Sequence, residues 1–84
     1  MMNRIILEEI MKLEPTNEFG IMSTVGTLSK YGKVDLIQDN KFNLFYQIKV
    51  SDILLSDITS DELINVRNGG WGISDDKKFL IKKL

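Results

Sequence analysis

The stretch KVDLIQDNKFNLFYQIKV, residues 33–50, decides the fold. Within it Phe42, Leu44, Tyr46, Ile48 and Val50 alternate with Asn43, Gln47 and Lys49. Successive side chains of a strand point to opposite faces, so this period of two predicts a strand with one buried face. Asp39-Asn40 just before it tolerates positive φ and predicts a short turn out of a preceding strand. Phe45 alone breaks the polar side. A large aromatic ring there is expected to meet a partner element or a small second core.

On the N-terminal side, the segment from Gly20 to Lys30 carries Ser, Thr, Val and two glycines. Phe19, Met22, Val25 and Leu28 have helical spacing, but the residue types favour a strand. Ser29 to Lys33 then reads as a hairpin loop with Gly32 at its left-handed position. A three-stranded antiparallel meander over residues 20–50 follows. Before it, Ile5, Ile6, Ile10 and Leu13 recur at helical spacing, with Arg4, Glu8, Glu9 and Lys12 between them. This predicts an amphipathic helix over residues 3–13, closed by Pro15.

On the C-terminal side, Ser-Asp pairs begin at Ser51, Ser56 and Ser60, and each serine is a candidate cap for a short helix or turn. Thr59 and Glu62 have capping-box spacing before Leu63, Ile64 and Val66, which predicts a second helix over residues 60–68. In RNGGWGISDD, residues 67–76, Gly69 is expected to end that helix in the left-handed region, with Gly70 and Gly72 bending the chain into a strand. A hairpin turning at Asp75-Asp76 closes the sequence, with Phe79 and Ile81 on one face of the last strand. The expected fold is α+β, a single compact domain over residues 1–84: N-terminal helix, three-stranded antiparallel meander, short second helix and C-terminal β-hairpin, in the order α-β-β-β-α-β-β. The N-terminal helix covers one face of the sheet.

The composition removes much chemistry. The chain has no cysteine and no histidine, so thiolate zinc sites, disulfides and Ser-His or Cys-His catalysis are absent. No cofactor and no metal are expected. Asp57, Thr59 and Asp61 alternate like early calcium-loop ligands, but Glu62 and Asn68 stand where an EF-hand needs glycine and glutamate. The glycines around Trp71 follow a helix and precede a strand, the reverse of a phosphate loop. The segment from Ser51 to Gly70 has helix-turn-helix length, yet its second helix opens with Asp61 and Glu62, the wrong sign for DNA. The best remaining catalytic set, Asp75, Asp76 and Lys77 with Tyr31 or Tyr46, is simply a good turn sequence beside two phenols. No enzyme is expected.

Net charge is −1, with 43% apolar and 27% charged residues, as in a globular domain. The start has no secretory-signal pattern and no stretch reaches membrane-spanning length, so a cytoplasmic protein without membrane contact is expected. Charge is nevertheless segregated. Asp52, Asp57, Asp61 and Glu62 crowd one segment, and Lys77, Lys78, Lys82 and Lys83 the other. These features suit a small non-catalytic binding protein acting stoichiometrically on a protein partner, an inhibitor or adaptor like small accessory proteins of phages and mobile elements. The expected contact residues are Arg67, Trp71, Phe45, Lys77, Lys78, Lys82 and Lys83. So small a core also points to a homodimer or other homo-oligomer. The alternatives are an oligomer binding a small anionic ligand or nucleotide, and a nucleic-acid-binding regulator using the terminal lysines.

Overall fold

A computed structural model describes residues 2–17, 20–39 and 43–84, the side chain of Ile21 excepted. Eight elements follow one another: α1 (Arg4–Met11), α2 (Ile21–Ser29), β1 (Asp35–Asp39), β2 (Asn43–Lys49), α3 (Val50–Leu55), α4 (Ser60–Asn68), β3 (Gly72–Ile73) and β4 (Phe79–Lys83). The four strands form one antiparallel sheet in the order β1-β2-β4-β3. The α+β class and the antiparallel sheet are as expected. The element order is α-α-β-β-α-α-β-β, with two helices that the residue pattern did not predict. Among the described residues no helix is long and apolar enough to cross a membrane.

α1 starts where the Asn3 side chain accepts the Ile5 amide at 2.7 Å, satisfying one of the free N–H groups of a helix start. Its buried stripe is Leu7, Ile10 and Met11. Ile5, Ile6 and Leu13 are exposed, so the inward face is turned relative to the one the spacing suggested.

The first strand expected in the meander is instead α2. Thr24 and Leu28, four residues apart, occupy one helical face and are buried at 3% and 0% exposure. The hydroxyls that argued for a strand bond back within the helix: Thr24 to the Gly20 carbonyl, Thr27 to Ser23 and Ser29 to Val25. Packing of this face against α4 overrides a weak intrinsic preference. Gly32 does not take the left-handed region, which Gly70 is the one described glycine to occupy. It serves close approach: an added Cβ would lie 2.9 Å from the Asp52 Cβ and 3.0 Å from the Ile48 Cδ1.

β1 and β2 pair from Asp35↔Gln47 to Asp39↔Asn43. The turn expected at Asp39-Asn40 falls partly outside the described residues, as do Phe42 and Phe19. The alternation of β2 stops at Lys49. Val50, expected as the last inward residue of the strand, opens α3 and is fully buried there. Ser51 lies inside α3, and Ser56 closes it by donating to the Ile53 carbonyl and accepting the Ile58 amide. The capping box at α4 forms as expected, with Glu62 N–H donating to the Thr59 hydroxyl and Thr59 N–H to the Glu62 carboxylate, both 3.1 Å.

The β3–β4 hairpin turns through residues 74–78, as the Asp75-Asp76 pattern implied. Asp76 accepts the Ser74 hydroxyl at 2.6 Å and the Lys78 amide at 3.0 Å. Lys77 takes the left-handed region at φ 61°. In the sheet, Ile48, Leu80 and Ile73 are register partners and so share one face. Ile48 and Leu80 are buried there among Leu7, Leu28, Ile53, Leu63, Val66 and Trp71, so this face carries the helical layer. Phe79 and Ile81 do share a face, but it is the opposite one, together with Lys49, Gln47 and Phe45.

Candidate protein-binding surface

The glycine-flanked tryptophan is a structural joint. α4 ends at Gly69, whose φ of −81° is not left-handed; Gly70 makes the reversal at φ +94°. Trp71 is 0% exposed, and its indole N–H donates to the Thr24 hydroxyl at 2.8 Å. Arg67 donates through Nε to the Leu13 carbonyl and through Nη1 to the Trp71 carbonyl, each at 2.8 Å. The guanidinium therefore ties the end of α1 to the chain leaving α4. A side chain with no exposed area offers nothing to a partner. Trp71 accordingly belongs to the core rather than to the surface to which the sequence assigned it, and the half-buried Arg67 is held beside it by these two bonds.

The four lysines divide between two places. Lys77 pairs with Glu8 at 2.9 Å, and this hydrogen bond, ahead of the lysine charge, holds the partly buried Glu8 carboxyl below its usual range. Lys78 lies next to it in the chain, just before β4. At the other end of the strand, Lys83 stands directly opposite Phe45 and Lys82 opposite Tyr46. Phe45 and Lys83 thus come together, two of the seven expected contact residues, while Lys82 faces the other side of the sheet with its ammonium against Gly70.

Around them lies a set of apolar side chains that the pattern had placed in the core or not singled out. Leu36 is the register partner of Tyr46, while the Leu84 amide donates to the Leu44 carbonyl at 3.0 Å. Partners in a ladder share a face, so Leu36, Leu44 and Leu84 surround Tyr46 at the end of the sheet. They are 51%, 39% and 61% exposed. The helical layer covers Ile48 and Leu80 but not this end. On the reverse face, Ile37 is the partner of Phe45, with Ile81 diagonal to it, all half-buried. A cleft of about 310 Å³ wraps over the end, lined by Leu44, Phe45, Ile81 and Leu84 with Asp39, Asn43 and Lys83. The result is an apolar tip on both sheet faces, flanked by Lys83 and Asp39.

Of the polar residues that were candidates for catalysis, Tyr46 lies in this tip, and Asp75 and Asp76 border a second cleft that reaches Phe45 and Ile81. Tyr31 donates its phenolic O–H to both Glu62 oxygens, at 2.7 and 2.9 Å. That bond, followed by the Thr59 amide, holds the Glu62 carboxyl below its ordinary range, and the same bond raises the Tyr31 phenol. Asp76 is held low by the Ser74 hydroxyl and then by the Lys78 amide. Tyr31 and Asp76 thus belong to two separate hydrogen-bond sets, one beside the start of α4 and the other inside the β3–β4 turn. Among the described residues no group of three or more carboxylates gathers to hold a metal ion. No protein-family model, curated protein or solved structure matches this chain.

Proposed function

We propose that the protein is a non-catalytic binding domain that engages a protein partner through the sheet tip formed by Leu36, Leu44, Leu84 and Tyr46 on one face and Ile37, Phe45 and Ile81 on the other. The observation that carries this reading is the cluster of three leucines, 39–61% exposed, set side by side by strand register. Single exposed leucines are ordinary; contiguous ones mark interaction sites. Ile5, Met22 and Leu55 are more exposed, at 73%, 70% and 74%, but they stand on three different helices.

Burying a leucine fully is worth about 1.5–3 kcal/mol, so completing the burial of three half-exposed ones supplies about 3 kcal/mol, or roughly a hundredfold in affinity. Lys83 at the flank favours a partner whose apolar patch carries a carboxylate opposite it. An inhibitor or adaptor of this size works by occupying such a patch.

The test is affinity capture from the cells that make the protein, followed by a binding constant for the recovered partner. Leu36→Asp/Leu44→Asp weakens binding at least tenfold with an unchanged melting midpoint, while Ile5→Asp has no effect. Equal affinity for the double variant contradicts the reading. A mass of twice 9.6 kDa that the double variant alone loses assigns the tip to a second copy of the chain instead.

A further inference from the structure

The opposite end of the β2–β4 ladder carries a different kind of surface. Arg4 opens α1, Lys49 closes β2, Ser51 belongs to α3, and Lys78 precedes β4. The β2–β4 pairing, the step from β2 into α3 and one Arg4 side-chain contact bring these four to one place. Lys49 is the register partner of Phe79, the Val50 amide donates to the Lys78 carbonyl at 2.8 Å, and the Arg4 guanidinium reaches the Lys77 carbonyl at 3.5 Å. Together they line a cleft of about 250 Å³ with Val50 and Phe79, and no carboxylate is in its lining.

The neighbouring acids are already engaged, Glu8 with Lys77 and Asp76 with the Ser74 hydroxyl and Lys78 amide. Among the described residues, none of Arg4, Lys49 and Lys78 makes an ion pair. Three basic residues from separate elements therefore border one cleft, with Glu8 on the Arg4 side and Asp76 on the Lys78 side but neither in its lining, in a protein whose net charge is −1. An anion entering the cleft is attracted by all three charges at once.

We propose that this cleft binds the phosphate group of a small ligand. One guanidinium fork, two ammonium groups and the Ser51 hydroxyl offer more donors than a single carboxylate accepts, whereas a phosphate brings three peripheral oxygens and close to two negative charges. The volume equals that of about eight waters at ~30 Å³ each, enough for a phosphate or diphosphate but below the ~300–1,000 Å³ of pockets that enclose whole drug-sized ligands. The remainder of a larger ligand lies over the Phe79 ring, outside the cleft.

Amide-resolved NMR titration at low ionic strength tests this with inorganic phosphate, pyrophosphate, adenosine and adenosine diphosphate. The expected result is saturable movement of the Val50, Ser51, Lys78 and Phe79 amides with pyrophosphate and none there with adenosine. Tighter binding of the nucleotide than of pyrophosphate assigns a nucleotide stacked on Phe79; equal binding assigns the free diphosphate. Lys49→Gln/Lys78→Gln weakens binding at least tenfold without moving the melting midpoint, and Arg4→Gln, away from the ladder, weakens it severalfold by itself. Non-saturating shifts at millimolar pyrophosphate, shifts spread over all lysines, or undiminished binding by these variants overturns the proposal.

Discussion

Trp71 and Thr24 are joined inside the core by a 2.8 Å hydrogen bond from the indole N–H to the threonine hydroxyl, linking the chain that leaves α4 to the middle of α2. Both residues are at most 3% exposed. A buried donor that loses its acceptor keeps its full desolvation cost. Thr24→Val is therefore expected to cost about 1–3 kcal/mol in urea unfolding. In a Trp71→Phe background the same substitution costs less, because no indole donor is left unpaired. Equal costs in both backgrounds contradict the pairing.

Arg67 is a structural staple, and its substitution separates stability from binding. Its two bonds, to the Leu13 and Trp71 carbonyls, are charge-assisted. Arg67→Met keeps most of the stem and removes both, with an expected loss of about 1.5–3 kcal/mol in chemical denaturation. The folded variant retains its affinity for the partner. A variant of unchanged stability that loses binding returns Arg67 to the contact surface.

Glu62 makes stability depend on acid. Its carboxylate accepts from the Tyr31 phenol and caps α4, and its pKa is lower in the folded state than in the unfolded chain. A depressed carboxyl contributes stability that is fully present above the unfolded-state pKa, about 4.3, and is lost as pH falls through the lower folded value. Tyr31 has the reverse sign: its raised pKa contributes stability below about pH 10 that disappears as pH rises further. The midpoint of thermal unfolding thus drops at both ends. Glu62→Gln flattens the acid limb, and Tyr31→Phe flattens the alkaline one. Parallel profiles for wild type and variants contradict this assignment.

Local signals made α1, α4 and the C-terminal hairpin legible, because the Thr59–Glu62 box and the Asp75-Asp76 turn act within a few residues. α2 was not legible. Its polar residues are strand formers by type, and its helical face is fixed by α4 and by Trp71, far along the chain. α3 was hidden because Val50 continues the alternation of β2 by one step while the backbone has already turned. The exposed tip was not legible for a related reason. Alternation tells which way Leu44 points, not how far the helices reach over the sheet, and Leu44 lies beyond their cover. Lys83 and Phe45 meet only through the β2–β4 pairing, which no local pattern encodes.

Amide hydrogen exchange of the protein with and without its captured partner measures the central claim most directly. Binding through the tip predicts slowed exchange at Leu36-Ile37, Leu44–Tyr46 and Ile81–Leu84, with the exposed helical residues Ile5, Met22 and Leu55 unchanged. Slowed exchange confined to the helices, with the tip unaltered, contradicts it.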